Sequence, residues 1–138
     1  MKYVLDTNAF SALMQGQAAA VDRLAAVSRG DVSVPQPVLA EIAYGIERLP
    51  HSRRRLALQE RFDLLRSQLL RCPWTDEVSE AFGRIKSALE RRGQRIEDFD
   101  AAIAAHAVAT GATLVSANLR QMTRVPGLRT EDWLKRVD

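Results

Sequence analysis

Short β-favouring runs alternate with helical segments along this chain, and that alternation restricts its fold more than any other feature. The predicted strands are short runs rich in apolar or β-branched residues, at 2–5, 32–34, 69–74, 113–116 and 125–129. Strands separated by helices pair in parallel, and right-handed crossovers place the helices on both faces of the sheet. We therefore predict an α/β fold with a short-stranded parallel sheet flanked by helices.

The helical segments repeat apolar residues three or four positions apart, and most of them end at a glycine or a proline. They are predicted at 9–14, 18–28, 35–49, 53–70, 77–91 and 99–110, with a terminal helical turn at 131–134. The third and fourth of these helices follow each other closely. Residues 35–70 are therefore predicted to form a helical hairpin.

Length and composition limit the class of protein. With 138 residues the chain can build one buried core but not two ordinary domains, so residues 1–138 are predicted to form a single domain. The chain has no apolar stretch near the roughly 20 residues of a membrane span and no signal-peptide pattern, which predicts a soluble, cytoplasmic protein. The single cysteine, Cys72, excludes disulfide scaffolds and cysteine-based zinc sites. A net charge of +3, from 20 basic and 17 acidic residues, permits an anionic partner without indicating one.

Three acidic residues occupy positions where a charge needs an explanation. Asp6 directly follows the first predicted strand, where its ordinary role would be to cap a turn or a helix. Glu41 lies roughly 110° from the centre of its helix's apolar stripe, at a border where an acid is ordinarily just solvated. Asp100 lies within about 80° of the apolar face of its helix, so its carboxylate should be partly buried. A buried carboxylate must be protonated, paired or bound to a cation, unless it caps the helix instead.

Polar residues also follow the strand predicted at 113–116. Ser116 and Asn118 stand there as Asp6 stands after the first strand, and neighbouring parallel strands bring such positions to one edge of the sheet. Carboxylate, amide and hydroxyl oxygens suit Mg²⁺ or Mn²⁺. No histidine is needed: His106 is expected to be a packed or surface residue and His51 a loop or cap residue.

Five segments together resemble a PIN-domain ribonuclease toxin of the VapC type, in the FitB-like branch. They are Tyr3-Val-Leu-Asp-Thr-Asn8, Val38-Leu-Ala-Glu-Ile42, Asp100-Ala-Ala-Ile-Ala-Ala-His106, Thr113-Leu-Val-Ser-Ala-Asn118 and Val125-Pro-Gly-Leu-Arg-Thr-Glu-Asp-Trp133. Each motif alone is weak, but their order and spacing cover nearly the whole chain. The resemblance implies a three-layer α/β/α fold and an endoribonuclease that needs Mg²⁺ or Mn²⁺ and cuts cellular RNA, such as transfer RNA. It also implies a VapB-type antitoxin partner, a homodimer and a larger toxin–antitoxin assembly.

The resemblance also assigns roles to residues. The catalytic and metal-binding acids of the family fall on Asp6, Glu41 and Asp100, and a fourth acidic position of many members falls on Asn118, which lowers the negative charge of the site. The residues expected to support the site are Asn118, Ser116, Asn8 and Asp98. Asp98 points about 160° away from Asp100 on the helix, so the two are not equivalent ligands, and Asp98 has a helix cap as its alternative role.

Two arginine clusters are candidates for holding RNA phosphates, with a solvated helix face as the alternative. The candidates are Arg53, Arg54, Arg55, Arg91, Arg92 and Arg95. The hairpin at 35–70 exposes apolar residues such as Phe62 and Leu65 in a groove suited to an antitoxin helix, unless those residues are simply core.

Two other functions compete with the ribonuclease. The first is a non-catalytic RNA-binding or regulatory protein with the same fold, an alternative that Asn118 keeps open. The second is a magnesium-dependent phosphotransfer module with Asp6 as the nucleophile. Against this module, Asn8 stands where a second carboxylate is expected, and no lysine stands at Ser116.

Overall fold

A computed structural model describes residues 2–135 and contains one five-stranded, fully parallel sheet in the order β3-β2-β1-β4-β5. The strands are β1 (Tyr3–Leu5), β2 (Val32–Pro35), β3 (Leu70–Cys72), β4 (Thr113–Val115) and β5 (Arg129–Glu131). The helices are α1 (Thr7–Met14), α2 (Ala18–Ala25), α3 (Gln36–Glu47), α4 (Arg53–Gln68), α5 (Asp76–Arg91), α6 (Asp98–Thr110) and α7 (Leu119–Met122), with a 3₁₀ turn at Arg29–Asp31. The predicted three-layer α/β/α architecture is confirmed.

The central position of β1 determines where the functional residues lie. Tyr3 is in register with Val32 of β2 on one side and with Thr113 of β4 on the other, so the three strands end at the same edge. Val4 and Leu114 are fully buried, because helices cover both faces of a parallel sheet. Residues that follow β1 and β4 in the chain are therefore brought side by side.

Side-chain caps fix the starts of three helices. The side chains of Asp6, Ser52 and Thr75 accept hydrogen bonds from backbone amides in the first turns of α1, α4 and α5. At its other end, α6 stops at Gly111, which has a φ of 68°. That left-handed conformation suits glycine and ends the helix directly before β4.

Helix α6 passes through the core of the domain. Its residues from Ala101 to Ala107 are all buried, which a helix tolerates only when its side chains are small or apolar on every face. It packs against α5 and also contacts α3 and β1. This burial places the start of α6, and with it Asp100, against the sheet edge.

The predicted bounds of the last strand, 125–129, and the predicted helical turn at 131–134 were wrong. Residues 125–128 do not form part of the strand, because Val125 is buried beside α7 and Gly127, with a φ of 76°, turns the chain before pairing can begin. Pairing starts at Arg129, and Glu131 then forms an ion pair with Arg23 and accepts from the Trp133 indole nitrogen at 3.0 Å. Residues 131–134 therefore form a strand end and bends, not a helical turn.

Smaller differences concern element boundaries. Pro35 is both the last residue of β2 and the N-cap of α3, so the helix that it was predicted to open begins at Gln36. The segment at 119–122 forms α7, which the sequence did not predict. None of the helices within residues 2–135 has the length and apolar character to cross a membrane.

Candidate active site

The candidate site lies at the carboxyl edge of the sheet. Asp6 immediately follows β1 and Ser116 immediately follows β4, and the Asp6 amide donates to the Val115 carbonyl at 3.0 Å. The start of α3, which carries Glu41, follows β2 at the same edge. The fold thus brings together residues that are 35 and more positions apart in the chain.

Asp6 is buried and held rigidly. Its side chain is 4% exposed, and one carboxylate oxygen accepts from the Ala9 amide at 2.8 Å. Burial raises the pKa of Asp6, and the negative charge of Glu41 raises it further. Hydrogen bonding by Ser116 and the start of α1 lowers the pKa but does not cancel the cost of burial. Asp6 therefore caps α1, the alternative role weighed from the sequence, and also lies near a second acid, Glu41.

Asp100 is the third residue of α6 and is partly buried, as its helical position predicts. Burial is the largest cause of its raised pKa, followed by the charges of Glu41, Asp6 and Glu97. Asp6, Glu41 and Asp100 therefore share one electrostatic environment, in which the charge of Glu41 disfavours the ionisation of both aspartates. We refer to these three residues as the acidic cluster.

Glu41 lies in the second turn of α3 and is partly exposed. Its carboxylate accepts a hydrogen bond from the Thr7 hydroxyl, with 2.7 Å between the two oxygens. The contact joins α1 to α3 at the edge of the acidic cluster. Thr7 was missed from the sequence, where its only signal is a hydroxyl directly after a strand-end acid.

The acidic cluster has the right donors for a hard divalent cation. Its members offer only carboxylate oxygens, the ligands that Mg²⁺ and Mn²⁺ prefer, and burial followed by like charge raises the pKa of Asp6 and Asp100, a cost that a bound cation would offset. Across residues 2–135, no group of three or more acidic, histidine or cysteine side chains is already arranged to hold a metal ion. The donor chemistry of the cluster therefore suits such an ion, but its three side chains are not gathered into a coordination site.

Ser116 and Asn118 lie beside this cluster. The Ser116 side chain is fully buried, and its oxygen accepts from the Asn118 amide at 3.0 Å, which leaves its proton free to donate toward Asp6. The Asn118 side chain donates to Gln121 at 3.3 Å. Ser116 thus makes a turn contact with Asn118, and its hydroxyl lowers the pKa of the Asp6 carboxyl.

Asn8 and Asp98 are not gathered into the acidic cluster. The Asn8 side chain is exposed on α1, and only its backbone amide faces Asp6. Asp98 is exposed and binds the Lys86 ammonium at 2.8 Å, while Glu97 holds the capping position of α6 without a side-chain cap bond. The predicted supporting role of the Asp98 side chain is therefore corrected to a surface ion pair.

The predicted arginines occupy different surroundings. Arg53 and Arg54 are exposed at the start of α4, and Arg55 forms an ion pair with Glu47 at 3.0 Å. Arg91 and Arg92 are exposed at the end of α5. Arg95 lies closest to the start of α6, in a charged cavity of about 420 Å³ lined by Lys86, Glu90, Arg95, Ile96, Glu97, Asp98 and Gln121.

The two histidines lie apart from the acids. His106 is fully buried, its Nδ1 lies 2.7 Å from the Ala102 carbonyl oxygen, and its ring meets Trp74 edge to face. Its Nε2 has no hydrogen-bond partner within residues 2–135. His51 is exposed in the turn before α4. Neither residue takes part in the candidate site.

The sequence and the fold are similar to those of known proteins. Residues 3–128 match the family described as PIN domain. The chain is 34% identical to ribonuclease VapC2 of Haemophilus influenzae and 33% identical to the tRNA(fMet)-specific endonuclease VapC of Shigella flexneri, over 97% and 96% of this chain and 99% and 98% of those proteins. It also superposes on VapBC2 of Rickettsia felis, solved with a DNA fragment from its promoter, with a TM-score of 0.86 and 28% identity over 96% of this chain and 99% of the other.

Proposed function

The chain belongs to the PIN-domain family, among the VapC ribonucleases, and from that premise we propose that it is a metal-dependent endoribonuclease toxin restrained by an antitoxin. The observation that carries the proposal is the acidic cluster at the carboxyl edge of the sheet, where Asp6 and Asp100 are buried or partly buried and the charge of Glu41 raises the pKa of both. Metal binding gives a reason for placing like charges together. Relatives named as ribonucleases over nearly the full length support RNA as the substrate.

The residues of the cluster divide the work of phosphodiester hydrolysis. Asp6, Glu41 and Asp100 would hold Mg²⁺ or Mn²⁺, and such an ion polarises a phosphodiester oxygen and lowers the pKa of a bound water. Asp6 contributes a fixed ligand, because the Ala9 amide already binds its other oxygen. Glu41 would accept a proton from the water that attacks phosphorus, while the P–O bond to the leaving ribose oxygen breaks and that oxygen takes a proton from solvent. Ser116 would orient the Asp6 carboxylate.

RNA binding requires cations near this acidic edge. Arg95 is the strongest candidate among the arginines, because it lies in the loop that leads into α6, three residues before the first turn that carries Asp100. Arg91 and Arg92 form the adjoining end of α5. Arg53 and Arg54 extend the basic surface only at the far end of the α3–α4 hairpin, so we assign them a weaker contribution.

Cleavage of transfer RNA by the purified chain tests the proposal. Wild-type protein, free of any partner, is incubated with total transfer RNA and with initiator transfer RNA in Mg²⁺, in Mn²⁺ and in EDTA. We expect discrete fragments that require the metal and are lost in Asp6→Asn, whereas Asp22→Asn, an exposed acid on α2, cleaves as the wild type does. RNA binding without cleavage in either metal would instead favour the non-catalytic alternative.

The antitoxin has a candidate docking surface in an apolar groove of about 450 Å³ between α3, α4 and the start of α6. It is lined by Gln36, Pro37, Leu39, Ala40, Ala43, Phe62, Arg66, Trp74 and Phe99. Trp74 and Phe99 are each about half exposed, which is uncommon for large apolar side chains on an unpartnered surface. Phe62, predicted from the sequence to line the groove, is at its base, and Leu65 is buried.

Similarity to VapBC2, a toxin–antitoxin complex, supports an antitoxin of the VapB type and a higher assembly. The homodimer of this chain stays a prediction. Growth on co-expression tests this part of the proposal. We expect the chain alone to stop growth and the antitoxin encoded beside it to restore growth. Trp74→Ala should weaken the rescue while leaving cleavage intact, and a rescue equal to that of the wild type would remove the groove from the interface.

A further inference from the structure

Thr7 links the first and third helices through its side chain. The hydroxyl donates to the Glu41 carboxylate at 2.7 Å across 34 positions of sequence. Thr7 is the first residue of α1 and directly follows Asp6, whose side chain caps the same helix. The helix start therefore fixes two acids, Asp6 through a backbone amide and Glu41 through a hydroxyl.

Glu41 depends on this contact for its orientation. Within the described chain its carboxylate accepts no second side-chain or backbone hydrogen bond and joins no ion pair. It is also partly exposed on a helix border, where a glutamate side chain keeps much of its rotamer freedom. One oxygen is occupied by Thr7, so the other remains available as an acceptor.

We propose that Thr7 is a positioning residue for cleavage, whose hydroxyl holds the Glu41 carboxylate beside Asp6 and Asp100 with one oxygen free. This inference rests on the proposed ribonuclease function and assigns to it a residue that the acidic motif does not include. A hydroxyl one residue after the strand-end acid is suited to this task, because the helix start is already rigid. A small displacement of a catalytic group lowers kcat more than it changes substrate affinity.

The alternative is that Thr7 only stabilises the packing of α1 on α3. If Thr7 had only a packing role, removing its hydroxyl would lower the free energy of unfolding but would not change kcat. A positioning role predicts coupling between Thr7 and Glu41 in turnover itself, because removing one partner makes removal of the other less costly. The two roles therefore differ in a measurable way.

The test compares Thr7→Val, Thr7→Ser, Glu41→Gln and the double variant Thr7→Val with Glu41→Gln. Turnover is measured on end-labelled initiator transfer RNA, or on whichever transfer RNA the wild type cuts. We expect Thr7→Val to lower kcat about tenfold with KM within about twofold, Thr7→Ser to recover kcat to within about threefold, and the double variant to be no slower than Glu41→Gln. Ser11→Ala, a hydroxyl one turn further along α1, should behave as wild type.

A second readout does not depend on cleavage. Urea unfolding of the wild type, Thr7→Val, Glu41→Gln and the double variant in metal-free buffer measures the coupling between Thr7 and Glu41 directly. Additive losses of kcat, with or without coupling in stability, would overturn the positioning role. A wild-type chain that cuts no RNA would overturn the proposed function and the positioning role with it, whereas coupling in stability would then show that only the structural contact remains.

Discussion

Metal binding and charge repulsion at Asp100 can be separated by replacing it with asparagine. Without metal, the wild-type chain keeps three carboxylates near one another at the sheet edge, where burial and the charges of Glu41 and Asp6 raise the pKa of Asp100. Asparagine removes one of those charges and keeps the size of the side chain. We therefore expect metal-free Asp100→Asn to be at least as stable as the wild type, which is unusual for a change at a partly buried polar residue.

The effect of the metal should be opposite. A cation that binds only the folded state adds about 2.7 kcal/mol of stability at a concentration of roughly 100 Kd. For 138 residues, an unfolding entropy of about 2.1 cal/mol/K per residue sums to about 290 cal/mol/K, so this stabilisation corresponds to a rise in Tm of about 9 °C. Asp100→Asn should lose most of that rise, because the cluster loses one of its three charges.

Thermal unfolding followed by circular dichroism, in EDTA and in increasing Mn²⁺ or Mg²⁺ at constant ionic strength, measures both effects. Asp98→Asn is the matched control, since Asp98 is on the same helix but pairs with Lys86 at the surface. It should keep the metal response. The reasoning would be refuted if both variants responded to metal equally, or if metal-free Asp100→Asn were clearly less stable than the wild type.

Two further predictions concern stability. Burial lowers the pKa of His106 below 6.5, so the native state binds fewer protons than the unfolded state and stability falls as pH drops from 6.5 through the lowered value. Urea unfolding should show that decline flattened in His106→Gln and unchanged in His51→Gln, and equal slopes would contradict it. Phe62→Ala should cost about 3–5 kcal/mol, because its buried ring packs edge to face on Phe10. Leu56→Ala, at 67% exposure, should change stability by less than about 0.5 kcal/mol, and a similar loss in both variants would argue against the assigned core.

Local sequence patterns determined most of the architecture. Alternating strands and helices predicted the parallel sheet, and residues such as Gly111 predicted where helices end, because caps and periodicity act over a few residues. The strand-end position of Asp6 and the helical arithmetic for Asp100 likewise needed only local geometry. These features could be predicted because each depends on neighbours within one or two turns.

Only the tertiary structure decided which contacts those residues make. The Thr7 hydroxyl meets Glu41 because the order of strands packs α1 against α3, and no local pattern encodes a pairing across 34 residues. The last strand is Arg129–Glu131 rather than the predicted 125–129, because Val125 is buried in the core instead of pairing with β4. Which residues are buried there depends on the whole fold. The pKa of Asp100 is raised first by burial and then by the charges of Glu41 and Asp6, which lie far away in the chain, so the shift exists only after folding buries the carboxylate and brings those charges near it.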